Sequence, residues 1–175
     1  MVKRLFKDSK GAAAAEMALV APLLLLLMFG AMELGYYFYS EHVVIKAVRD
    51  GARFASRQGF ANFTCTSGGD GTVNSTTEAE TQRVTRTDQV ATGGTPRLAN
   101  WTNDNSVTVR LSCVDNSGGT YGSFYEDYKD TTGTAAVPVV TVSASVTYTP
   151  LFSLIGFSSA ALQLKADSQA AVVGV

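Results

Sequence analysis

The sequence predicts an α+β protein: a long N-terminal helix, transmembrane in its first half and amphipathic in its second, packed on a small C-terminal antiparallel β-sheet. Three observations carry that reading. From Met17 to Met32 there is no charged residue. Beyond that run, Val44, Ala47, Val48, Gly51, Ala52 and Ala55 recur at helical spacing. Near the C-terminus, three segments alternate apolar and polar residues with the period of a half-buried strand.

The apolar window from Gly11 to Tyr39 is long enough to span a bilayer, for which about 20 residues suffice. Ala, Leu and Met favour helix, and a helix satisfies its own backbone groups in lipid. Pro22 removes one helix hydrogen bond, which spans tolerate. Lys3, Arg4, Lys7 and Lys10 precede the run against Asp8 alone, so the N-terminus is expected on the cytoplasmic side. Tyr36-Tyr37-Phe38-Tyr39 follow it, the composition of a helix leaving the bilayer; the alternative is that they are merely core, and the two readings are compatible. A cleaved secretory signal fits less well, because Gly30-Ala31-Met32-Glu33 is a poor cleavage site and the helical pattern does not stop. One helix from about Ala12 to Ser56 is expected, on the order of 65 to 70 Å long, with Gly59 as its stop.

Two acids bracket the run, Glu16 and Glu33. One reading of Glu16 is a side chain reaching the cytoplasmic headgroups. Another uses Gly11, five places upstream: if a peptidase cut there, the new amine of Ala12 would lie near the Glu16 carboxylate, in the same chain or a neighbour.

The exported part, residues 59–175, is rich in Thr, Ser, Asn and Gly. TEAETQRVTRTDQVA is expected to form a short helix capped by Thr77, with Glu78 and Glu80 near its positive end. In SVTVRLSCV one face carries Val107, Val109, Leu111 and Cys113. In VPVVTVSASVTY the corresponding face is Val140, Val142, Ala144, Val146 and Tyr148, and in LQLKADSQAAV it is Leu162, Leu164 and Ala166. Val44, Val48 and Ala55 of the long helix are the expected cover. Cys65 and Cys113, the two cysteines, both lie past the span on a side expected to be oxidising. A bridge between them would stabilise by roughly 4 kcal/mol; two free thiols, with Cys113 buried in its strand, is the other reading. Tyr121, Phe124, Tyr125 and Tyr128 stand in a Gly/Ser-rich loop, either as a surface for another subunit or folded over the sheet edge. The triplets at Asn62, Asn74 and Asn100 match the glycosylation pattern by chance.

Balanced charge, with 14 Lys+Arg against 15 Asp+Glu, argues against a nucleic-acid partner. No phosphate loop, G-x-S-x-G or H-E-x-x-H is present and there is one His, His42, so no enzyme, cofactor, metal or small-molecule substrate is expected. Glu126, Asp127 and Asp130 do not follow the calcium-loop pattern.

The basic leader, Gly11, four alanines and Glu16 ahead of an apolar helix look like the class III leader of type IV prepilins and pseudopilins. The longer string GAAAAEMALVAPLLLLLMFGAMELG, followed by RDGARFAS, closely resembles the TadE-like proteins of tight-adherence (Tad) pilus systems. The resemblance covers about the first third of the chain. It implies a pilin-like minor pseudopilin cleaved by a prepilin peptidase after Gly11, which leaves Ala12 as the mature terminus and Glu16 as the acid at mature position five. It also implies partnership with other pilins, pseudopilins and Tad assembly proteins, in a bacterial inner membrane with the C-terminal part periplasmic. Glu33 matches a glutamate that such proteins often carry near the outer end of the helix. Met17 departs from the aromatic that pilins usually place after the position-five glutamate. Three parts are therefore expected: a cleaved leader 1–11, a long helix 12–58 and an extracytoplasmic β-rich domain 59–175. The alternative is an uncleaved single-pass anchor presenting a binding or scaffold domain outside the membrane.

Overall fold

The structure, a computed structural model, describes residues 9–153 and 162–174. The basic leader through Asp8 lies outside the described residues, as do the side chains of Lys10 and Ala12. The fold is α+β, with a long apolar N-terminal helix and a five-stranded antiparallel sheet in the order β1-β2-β3-β4-β5. The elements are α1 (Ser9–Ser56), β1 (Phe63–Cys65), β2 (Asp70–Val73), α2 (Ser75–Thr87), β3 (Val107–Asp115), β4 (Ala136–Thr147) and β5 (Gln163–Ala171).

Two compact units divide the chain: Met1–Phe38 with Pro150–Ser158, and Tyr39–Thr149 with Ser159–Val175. In the first, the α1 surface is lined with exposed apolar side chains, among them Leu19, Leu23, Leu26 and Met32. A water-exposed surface of that kind is unfavourable at about 25 cal/mol per Å², whereas in hydrocarbon it is at home. Among the described residues α1 is the one helix long and apolar enough to cross a membrane.

In the second unit, Val44, Ala47, Val48, Ala52 and Ala55 of α1 are buried, as their spacing predicts. Gly51 lies between two neighbours: a Cβ added there would stand 2.0 Å from Thr85 Oγ1 of α2 and 3.5 Å from Val142 Cγ1 of β4. The sheet's inner face is the predicted one. Val107, Val109, Leu111 and Cys113 of β3 are buried, as are Val140, Val142, Ala144 and Val146 of β4, with Tyr148 just beyond it. Leu162 differs, being exposed immediately before β5, where Leu164 takes the inner position. The β3–β4 and β4–β5 registers are long and unbroken, running from Val107↔Ala144 to Asp115↔Ala136 and from Val139↔Ala171 to Thr147↔Gln163.

Helix α2 exists, but its cap is Asn74 rather than Thr77. The Asn74 side chain accepts from Thr76 N at 2.9 Å, and Thr77 is buried within the first turn. The helix ends at Asp88, whose φ of 62° is left-handed. Its buried face is mostly threonine, with Val84 the one apolar member. Thr81 Oγ1 donates to Thr77 O and Thr85 Oγ1 to Thr81 O, each at 2.7 Å, so both buried hydroxyls are satisfied within the helix. Arg97 ties the following loop down, its Nη2 lying 2.9 Å from Asp50 Oδ2 and 2.8 Å from Asp88 Oδ1.

Candidate functional site

Glu16 is exposed on α1, one helical turn beyond Ala12. Gly11 is exposed too, with open space where a Cβ would stand. Gly11, Ala12 and Glu16 therefore all lie on one helix. Glu33 is different. It is 7% exposed, the one buried acid of the first unit's described residues. One of its carboxyl oxygens accepts from Leu151 N at 3.3 Å and the other from Phe152 N at 3.1 Å. The Phe152 ring packs on Phe29, centroids 5.0 Å apart.

This pairing answers a physical problem. A buried carboxylate at the edge of an apolar run is costly unless it is hydrogen-bonded, though less so than the about 2.5–3.5 kcal/mol of a helix centre, and the two amides supply those bonds. At 1.5 Å per residue Glu16 and Glu33 are roughly 26 Å apart along the helix, close to the thickness of a hydrocarbon core. Sequence reasoning singled out Glu33 but not its partners, because the contact joins residues more than a hundred positions apart. The extra signal was the apolar pair Leu151-Phe152 after Pro150, where β4 ends.

Cys65 and Cys113 form a disulfide, with Cα atoms 5.8 Å apart. It joins the edge strand β1 to β3 beside the Gly68-Gly69 turn, and Cys113 N donates to Gly69 O at 2.7 Å. A cavity of about 460 Å³ beside it is lined by Gly69, Cys113, Asp115, Asp130 and Thr132. Asp130 is committed to its own turn. Its Oδ1 accepts from Thr132 Oγ1 at 2.7 Å, Thr132 N at 2.8 Å and Thr134 N at 2.9 Å. The Thr132 hydroxyl above all, then the Thr134 amide, holds its carboxyl below the usual range. Among the described residues no group of three or more His, Cys, Asp or Glu side chains could hold a metal ion.

The loop aromatics divide between the two readings, Tyr125 and Tyr128 being half-buried while Tyr121 and Phe124 are exposed. Phe124, Tyr125 and Tyr128 gather round Phe60 with ring centroids 5.8, 6.3 and 5.2 Å from it. The Tyr128 hydroxyl donates to Phe63 O at 2.9 Å. Tyr121 and Phe124 keep outward surface, 52% and 57% exposed.

The model of the TadE-like protein family matches residues 11–53. This N-terminal segment is TadE-like. The match starts at Gly11, takes in Glu16, Glu33 and Gly51, and ends within the buried half of α1, leaving the sheet outside it. The match covers about a quarter of the chain, and the helix it falls on is the one that is long and apolar enough, among the described residues, to cross a membrane. No curated protein and no solved structure matches the chain.

Proposed function

We propose that this chain is a minor pseudopilin of the TadE-like kind, a structural component needed to assemble Flp-type Tad pili in adhesion, and that it has no enzymatic role. The observation that carries the proposal is where the TadE-like match falls. It opens at Gly11, the residue before the proposed scissile bond, and spans the apolar helix. In this reading a prepilin peptidase removes residues 1–11, the helix stays in the bacterial inner membrane with its N-terminus cytoplasmic, and the sheet unit is periplasmic. The freed Ala12 amine and the Glu16 carboxylate then offset each other's charge at the lipid boundary, within one chain or between neighbouring pilin helices. The partners are the peptidase, other pilins or pseudopilins and the Tad assembly proteins.

Glu16→Val tests the pairing. The variant is expected to insert normally, since it removes a charge from an apolar helix, but to lose cleavage or pilus assembly. Membrane fractionation, immunoblotting for the size shift and counting of surface pili read this out. Wild-type piliation in Glu16→Val would refute the role given to the carboxylate.

A further inference from the structure

The geometry points to a second lipid contact in this protein: the turn after β4, pinned to the spanning helix by Glu33, dips its Leu151 side chain into the outer interface of the bilayer. The inference rests on the anchoring half of the proposed function and goes beyond it. Pro150–Phe152 belong to the same compact unit as the apolar part of α1, not to the unit that holds the sheet. Two backbone amides, Leu151 N and Phe152 N, both donate to the Glu33 carboxyl group. The Phe152 ring packs on Phe29, one helical turn nearer the N-terminus than Glu33. The turn is therefore held at two successive levels of the helix.

Leu151 is then left 52% exposed, in the same unit as the exposed Met28, Met32 and Leu34 of α1. A leucine that faces outward beside a spanning helix extends that helix's apolar surface, and lipid is the occupant that covers both. Glu33 thus serves as a latch for the turn. Its two oxygens suit two adjacent amides, while the aromatic residues that follow it, Tyr36 to Tyr39, have the composition of a membrane boundary.

The test uses full-length protein in vesicles of phosphatidylglycerol and phosphatidylethanolamine. Cys65 and Cys113 are bridged, so Leu151→Cys supplies a single free thiol for an environment-sensitive dye. Leu25→Cys, midway along the apolar run, serves as the anchoring reference and is read with a nitroxide near the end of the acyl chain. The expected result is blue-shifted emission at position 151, quenched by lipids carrying a nitroxide high on the acyl chain, and loss of that quenching when Glu33→Leu is added. Phe152→Ala, which leaves the helix and Glu33 intact, is expected to weaken the quenching as well, and serves if Glu33→Leu fails to accumulate. Quenching at 25 but aqueous emission at 151 would overturn the lipid contact while leaving the anchor standing. Blue-shifted emission without lipid quenching would overturn it in favour of a protein neighbour. Undiminished quenching in both Glu33→Leu and Phe152→Ala would overturn the latch. Absence of quenching at 25 would overturn the anchor, and the lipid contact with it.

Discussion

Replacing both Cys65 and Cys113 with serine is expected to lower the stability of the sheet unit by about 4 kcal/mol, the loop-entropy value for a closure of this size. The bridge links residues 48 apart in sequence. It matters here because the strands it secures are weak on their own. Strand β1 has three residues and β2 four, and β2 pairs with β3 at Asp70↔Ser112 and Gly71↔Leu111 alone. Gly71 keeps even that pairing intimate: a Cβ there would come within 2.6 Å of Leu111 Cδ2 and 2.9 Å of Thr64 O. Without the covalent link, β1 and β2 depend on a few ladder hydrogen bonds, each worth about 1 kcal/mol net. Denaturant titration of the oxidised protein and the double-serine variant measures the difference. Hydrogen exchange should show β1 and β2 losing protection before β3, β4 and β5. Equal midpoints for the two proteins would mean that the bridge adds no stability.

The second large effect is expected at Gly51→Val. The first carbon of any side chain there meets Thr85 Oγ1 at 2.0 Å and Thr85 Cβ at 3.2 Å. Threonine is stiff at χ1, and its hydroxyl is already engaged with Thr81 O. Rotating it away would leave a buried hydroxyl unpaired, at a cost of about 1–3 kcal/mol. Pushing α1 off α2 instead incurs the overpacking cost, again about 1–3 kcal/mol. The helix-propensity gain on losing glycine is below about 1 kcal/mol, so the steric effect wins and the variant is destabilised. Adding Thr85→Ala makes room on the α2 side and should recover part of the loss, giving a coupled double-mutant cycle. Thermal unfolding in detergent, with Gly35→Ala as the comparison, checks it. Gly35 has open space around it and its replacement is expected to be tolerated. Additive effects of Gly51→Val and Thr85→Ala would contradict the packing described.

Much of the fold was legible because it obeys a period. The apolar run and the i, i+3, i+4 pattern marked α1 to its last residue, Ser56, and strict alternation marked β3, β4 and β5. Where burial is achieved without apolar residues, the pattern was thin. Helix α2 buries Thr77, Thr81 and Thr85, and the Thr81 and Thr85 hydroxyls are satisfied by its own carbonyls, so its inner face reads as largely polar. The helix also begins one turn earlier than expected, because Asn74 supplies the better-placed acceptor. Strands β1 and β2 went unseen: three and four residues in a Gly/Thr segment are too few to show alternation. Non-local contacts were the least legible. Nothing near Glu33 in sequence announces Leu151 and Phe152, and nothing near Asp50 announces Arg97. The candidate site divides in the same way, since Gly11, Ala12 and Glu16 could be read as a motif while the partners of Glu33 required the fold.

The mass of the protein isolated from membranes of the piliated organism, together with its N-terminal sequence, bears most directly on whether this is a processed pilin component. A mature chain that begins at Ala12, shortened by residues 1–11, is the expected result. An intact Met1 in cells that assemble normal pili would contradict it and leave an uncleaved single-pass anchor carrying a sheet domain.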